Sequence, residues 1–344
     1  MQAITQNRYF GLWLGVVFFA IMAVVPFALE AQGNANVPLK TLNNIGIYAI
    51  LALSLNLILG QAGLFNMGHA AFFAIGAYVT AILNTTFGLP IIWTLPLAGL
   101  IAALFGYLIA LPIIHLRGDY LLVVTIGIVE IVRIVLNNDL WGLTGGPNGI
   151  YGISRIELAG FTFRSNFSQF YAIWVCVAVT ILLFYFLEHS RFGRALNYIK
   201  YDETAAQGCG INIVAYKITA FALGAFWAGM AGTLYAPFMR TITPDSFTFN
   251  ESVIIFAIIV LAGGGNLVGV LVATFIVMGL QDVFVLFGQA RLFVFGAALV
   301  VVMLVRPHGL FTPRKRRYRA RDLIGKFKAG IGNSAKATTK KGDA

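Results

Sequence analysis

The feature that most constrains this chain is a succession of long apolar runs separated by short polar ones. They lie at about 10–29, 42–60, 67–84, 91–116, 120–137, 169–187, 214–238, 266–286 and 290–306. A helix needs about 20 mostly apolar residues to cross a bilayer, and these runs have that length. A shorter run, 251–262 (ESVIIFAIIVLA), stops at Gly263-Gly264-Gly265 and reads as a short tilted span or a re-entrant half-helix. Only 11% of the 344 residues are charged and 59% are hydrophobic, whereas an ordinary soluble domain carries about 25% charged residues. No soluble globule of this size hides so much apolar surface, so lipid is the solvent. The sequence predicts an all-α, polytopic membrane protein with about ten transmembrane helices, some broken or re-entrant. The first run follows Arg8, as a signal peptide's apolar core would, but it is too long for one. Ala28-Leu29-Glu30-Ala31 is also a poor cleavage site, so the run is expected to stay as the first membrane helix.

The net charge of +11 belongs to one place. Residues 314–344 hold eleven Lys and Arg against Asp322 and Asp343, which leaves the rest of the chain almost neutral at +2. A basic segment just after a last helix fits orientation and contact with anionic lipid headgroups, and no nucleic-acid partner is expected. Residues 313–344 are therefore read as a disordered cytoplasmic tail. Ten crossings then put both termini in the cytoplasm, with Arg8, Arg117, Arg191, Arg194 and Lys200 on that side. Lys40, Arg155, Arg164, Arg240 and Arg291 fall outside. This parity favours ten crossings over nine. Cys176 lies in an apolar run and Cys209 in a polar stretch, so no disulfide is expected between them.

Chemistry-bearing clusters are few. His69, His115, His189 and His308 are scattered without metal-ligand spacing, and no nucleophile triad appears. The single Gly-Lys pair, Gly325-Lys326, is followed by Phe327 and has Ala320 where a phosphate loop needs its first glycine. The chain is not expected to be an enzyme or to hold a metal or cofactor; if a nucleotide powers it, another chain binds that nucleotide. Glu130 and Arg133 lie inside an apolar run and share a helix face at i, i+3. They form either a structural ion pair or part of a translocation path, because charge within a membrane faces a bundle interior or water. His69 and Asp282 read as satisfied polar groups. Gly60-Gln61-Ala62-Gly63 followed by Asn66-Met67-Gly68-His69 interrupts apolar sequence, as does Gly263-Gly264-Gly265-Asn266. Each is a plain turn or a helix break facing a cavity. The helix–glycine–helix pattern at 44–84 has a weak echo at 250–286, without a clear repeat.

Two polar segments are the most informative. The external one, 138–168, contains LTGGPNGIYGI and reads as a turn-built loop. The internal one, 188–213, contains Glu203-Thr204-Ala205-Ala206 and then Gly210-Ile211-Asn212. Ala205 and Ala206 favour a short, smooth-faced helix, and Gly210 suits a left-handed cap. Such a helix outside the membrane is either a docking element or an ordinary amphipathic loop helix.

This run resembles the cytoplasmic coupling motif of ABC-importer permeases, in the form Glu-x-Ala-Ala-x-x-x-Gly-Ile-Asn. The ordered blocks GHAAFFAIGAYVTAIL (68–83), RGDYLLVVTIGIVEIVRIVLNN (117–138), LTGGPNGI (143–150), SRFGRALNYIKYDETAAQGCGIN (190–212), AFALGAFWAGMAGTLYA (220–236) and SFTFNESV followed by GGGNLVG resemble the branched-chain amino-acid branch. LTGGPNGI is similar to the M-type subunit rather than the H-type. The chain departs from the pattern at Gly208, where the family commonly has alanine or a longer side chain. Urea-type permeases share much of the same pattern.

The resemblance implies that residues 1–312 form a permease domain importing branched-chain or other neutral amino acids across the bacterial inner membrane by alternating access. Glu203, Ala205, Ala206 and Gly210 would couple it to two cytoplasmic ATPase subunits that bind ATP and Mg. Thr144, Gly145, Gly146, Pro147 and Asn148 would lie in a loop facing a periplasmic substrate-binding protein. A homologous permease would complete the pore, and Asn66, Gly68, His69, Glu130 and Arg133 would line the path or serve packing. The rivals are a urea or short-chain amide permease and an ion-coupled secondary transporter.

Overall fold

A computed structural model of the chain describes residues 8–31, 36–116, 118–158, 161–163 and 165–284, with isolated positions between 293 and 310. The expected last helix (apart from those positions), the basic tail 313–344, both termini and the side chain of Asp282 lie outside the described residues. The helices are α1 (Arg8–Ala31), α2 (Asn36–Leu55), α3 (His69–Thr85), α4 (Ile91–Ile113), α5 (Asp119–Asn137), α6 (Asn166–His189), α7 (Arg191–Tyr201), α8 (Glu203–Gly208), α9 (Ile213–Met239), α10 (Phe249–Ala262) and α11 (Leu267–Phe284). Every apolar run before residue 287 folds as a helix, which gives the all-α, polytopic architecture that its length and hydropathy require. Among the described residues, five segments are long and apolar enough to cross a membrane: Val37–Gln61, Ile91–Ile113, Asn166–His189, Ile213–Met239 and Pro244–Ala262. Helix α5 has the length but carries Asp119, Glu130 and Arg133.

Small residues hold the centre together. Among helices in lipid, close backbone approach supplies the packing that the hydrophobic effect supplies in water. Helices α3, α4 and α9 meet at glycine: a side chain at Gly76 would run into the Gly229 backbone, and one at Gly229 would come within 2.5 Å of Ala102. A hydroxyl pair, Thr80 Oγ1 to Thr233 Oγ1 at 2.9 Å, ties α3 to α9 in that buried interface. Helix α2 runs through the core, with Ile47, Ala49, Leu51, Ala52 and Leu53 fully buried. The outer face of α4 shows Trp93, Leu100, Leu104 and Leu108, all more than half exposed, as a lipid-facing helix would.

Two expectations change. The segment 138–168 is more ordered than a turn-built loop. It contains short 3-10 turns at Leu140–Gly142 and Gly146–Asn148 and the strands β1 (Ile150–Tyr151), β2 (Glu157–Leu158) and β3 (Phe161–Thr162). Strand β1 pairs antiparallel with β4 (Thr241–Ile242), Ile150 opposite Ile242, while β2 pairs with β3. The segment 188–213 holds the short helix expected around Ala205 and Ala206 and, before it, a second helix not expected from the sequence. Helix α7 buries Ala195, Leu196 and Ile199 while Arg191, Arg194 and Tyr198 stay exposed, an amphipathic pattern that its charge masks in a search for apolar runs.

Candidate functional site

Helices α7 and α8 sit at one end of the bundle, joined by a one-residue corner at Asp202. Ser190 caps α7 by accepting from the Gly193 N–H at 3.2 Å, and Asp202 caps α8 by accepting from the Ala205 N–H at 3.0 Å. These caps satisfy amide donors that have no partner within the helix. Gly210 has φ +79°, and its N–H returns to the Gln207 carbonyl at 2.9 Å, so α8 ends on a left-handed glycine as the spacing predicts. Ala206 is buried, whereas Thr204, Ala205, Gln207 and Gly208 are exposed. The short helix therefore turns one smooth face outward and one inward.

Two lysines tie this corner to the bundle. Lys217 Nζ of α9 meets Glu203 Oε1 at 2.6 Å, with the lysine side chain 6% exposed and the glutamate 31%. Lys200 Nζ of α7 donates to the Gly60 carbonyl at 2.6 Å. Partial burial pushes the Lys200 ammonium below the ordinary lysine value. Glu203 and Lys217 also line a cavity of about 130 Å³ with Gly63, Leu64, Phe65, Leu116, Gly118 and Leu121.

The two glycine interruptions are helix breaks, and they meet. Helix α2 widens into a π segment at Asn56–Gln61 and stops, and the chain restarts as α3 at His69. The second break separates α10 from α11 at Gly263–Asn266. Asn56 Oδ1 accepts from the Gly265 N–H at 2.8 Å, and a side chain at Gly60 would lie 2.7 Å from that nitrogen. Asn66 and His69 are fully buried. Asn66 Oδ1 accepts from the Gly68 N–H at 2.8 Å, and His69 Nε2 lies 2.6 Å from Ser54 Oγ. Gly68 leaves no room for a side chain beside the Thr125 carbonyl. Within the described residues, Asn56 Nδ2, both Gln61 amide atoms, Asn66 Nδ2 and His69 Nδ1 are buried without a hydrogen-bond partner. These atoms hold donor and acceptor capacity that no protein group among the described residues uses.

At the opposite end, Glu130 and Arg133 pair on α5 at 2.9 Å as their spacing predicts, and Asp245 approaches Arg133 at 3.6 Å. All three carry substantial exposure, which no lipid-facing surface tolerates well. Nearby, Asp139 Oδ1 accepts from the N–H groups of Thr144 and Gly145. Thr144 is buried and donates to the Leu136 carbonyl, and Gly146 is buried as well, so both build the loop. Gly145, Pro147 and Asn148 are the exposed positions.

Several residues of these sites escape a linear reading. Lys200, Lys217, Asn56 and Asp245 matter through partners far away in sequence. Another is Glu251, in the first turn of α10, which accepts a hydrogen bond from the Tyr48 hydroxyl beside an edge-to-face cluster of Phe73, Tyr235 and Phe247.

The profile of the family described as branched-chain amino acid transport system / permease component matches residues 37–303. The high-affinity branched-chain amino acid transport system permease protein LivM of Salmonella typhimurium is 35% identical over 318 residues, covering 86% of this chain and 73% of the relative. Its Escherichia coli counterpart is 35% identical over 336 residues, 91% and 78% of the two chains. The LivH permease protein of Salmonella typhimurium is 26% identical over 285 residues, 76% and 90%. No solved structure matches. A match over most of the chain, joined to the helical bundle and its ordered motifs, means that the chain belongs to the branched-chain amino acid permease family, as a multi-pass membrane protein of the LivM type.

Proposed function

We propose that this chain is one permease subunit of an ATP-driven importer of branched-chain or other neutral amino acids, residing in the inner membrane with both termini cytoplasmic. The observation that carries the reading is the α7–α8 corner. It is a capped pair of short helices outside the apolar bundle, ending on Gly210 and tied back to it through Glu203–Lys217 and Lys200–Gly60. A corner so anchored transmits displacement instead of absorbing it. Glu203, Ala205 and Gly210 lie on the surface offered to two ATPase subunits, which bind ATP and Mg, while Ala206 is buried and seats the short helix on the bundle. A periplasmic binding protein delivers substrate to the opposite face, with Gly145, Pro147 and Asn148 exposed there. A homologous permease completes the pathway, and Glu130 with Arg133 faces that pathway or the partner.

The mechanism is alternating access, in which the binding protein and nucleotide bias two packings of the same helices. The two glycine breaks supply places where backbone can rearrange beside polar side chains without exposing it to lipid. The chain performs no covalent chemistry itself. The test is binding-protein-dependent uptake in proteoliposomes with labelled leucine, isoleucine, valine, alanine and urea. Uptake of the branched-chain substrates that requires ATP and the binding protein is expected. Uptake of urea alone would replace the substrate, and uptake driven by an ion gradient without ATP would replace the mechanism.

A further inference from the structure

We propose that Lys200 is the positioning residue that links the α7–α8 corner to the paired helix breaks. This rests on reading that corner as the coupling segment. The link begins with a carbonyl that the helix cannot satisfy. Beyond Asn56 the α2 ladder loosens, so that Ala62 N–H reaches back to Leu57 and Leu64 N–H to Ile58. Carbonyls at a helix end lack intrahelical donors, and a cation there is favoured by the helix dipole. Lys200 supplies both, donating to the Gly60 carbonyl from another helix. Its side chain passes over Gly63, where an added Cβ would sit 3.0 Å from Lys200 Cγ. A larger residue at that position would displace the lysine.

Gly60 in turn abuts the second break. An added Cβ at Gly60 would lie 2.7 Å from Gly265 N, one at Gly264 would lie 3.1 Å from Gly60 Cα, and Asn56 holds the Gly265 amide. Gly60 cannot move far without moving residues 264 and 265. The companion link has a different character, because Glu203–Lys217 fastens α8 to α9, a helix continuous from Ile213 to Met239. One lysine thus anchors the corner to an unbroken helix while the other reaches the place where two helices are interrupted. Displacing the corner pivots it on Lys217 and draws on Gly60, which alters the buried polar surface of Asn56, Gln61, Asn66 and His69.

The test uses the complete complex in proteoliposomes, with uptake and ATP hydrolysis measured side by side for the parent, Lys200→Met and Lys200→Arg. Lys200→Met is expected to lower the ratio of uptake to hydrolysis about tenfold, the scale of one charge-assisted hydrogen bond, with hydrolysis retained. Lys200→Arg, which can still donate to Gly60, is expected to restore most of that ratio. A Lys200→Met ratio close to the parent's overturns the proposal, as does Lys200→Arg that is equally uncoupled. Failure of Lys200→Met to accumulate while Lys200→Arg accumulates and couples overturns it too, since the side chain is then a folding clamp. A parent complex that imports no amino acid removes the importer reading instead, and is recognised before any variant is compared.

Discussion

Gly210 shows how a single backbone angle fixes the end of a short helix. At φ +79° an L side chain is strained by about 1 kcal/mol, yet nothing lies within 4 Å of where its Cβ would be. Gly210→Trp is therefore expected to leave the protein at normal levels in the membrane while placing a large side chain on the surface next to α8. Uptake in whole cells should fall to background, and normal uptake by this variant would remove Gly210 from the docking surface. Glu203 behaves differently, because its carboxylate faces a buried ammonium. Replacing Glu203 leaves that ammonium without this carboxylate, so variants at Glu203 are expected to lower stability as well as to affect the proposed coupling. The acidic residue, the two alanines and the glycine are all legible in sequence because they lie within eight consecutive positions. Lys217 is not, since it sits inside an apolar run and acquires its meaning only when α9 folds back beside α8. Nor is Lys200, whose partner is a backbone carbonyl that becomes available only because the α2 helix ends there.

At the level of helices, the apolar runs convert directly into elements, because a bilayer leaves a spanning chain little alternative to satisfying its backbone within a helix. Contacts between helices are less visible. The α3–α9 approach depends on Gly76 opposite Gly229 and on Gly232 against Phe73, pairings that no spacing within one run reveals. Gly76→Leu is expected to abolish the close approach, and the measurement is accumulation and melting temperature in detergent, both of which should fall sharply. Gly127→Leu is the matched control: no atom lies within 4 Å of an added Cβ on that side of α5, so accumulation should stay near normal. The same logic explains why the echo between 44–84 and 250–286 carries little weight in one dimension. Its significance is spatial, since the two interruptions are hydrogen-bonded to each other through Asn56 and Gly265.

For the molecule as a whole, the asymmetry of its two ends gives a testable orientation. One end carries α7 and α8 with Arg191, Arg194 and Lys200, and the other carries the segment around Tyr151. If basic clusters mark the cytoplasmic side, a reporter active only in the periplasm, fused after Tyr151, is expected to be active. A silent fusion at normal expression would invert the assigned topology. At the end that contains Tyr151 the backbone pairs Ile150 with Ile242 and Tyr151 with Thr241, and Gly149 lies close against the Ile242 carbonyl. Residues 241 and 242 follow α9, so β1 has no partner strand until α6 through α9 have been synthesised and inserted. A nascent chain emerges from its N-terminus first, which makes this pairing a late event in biogenesis: the helices must already be threaded before the cap on that end can be tied.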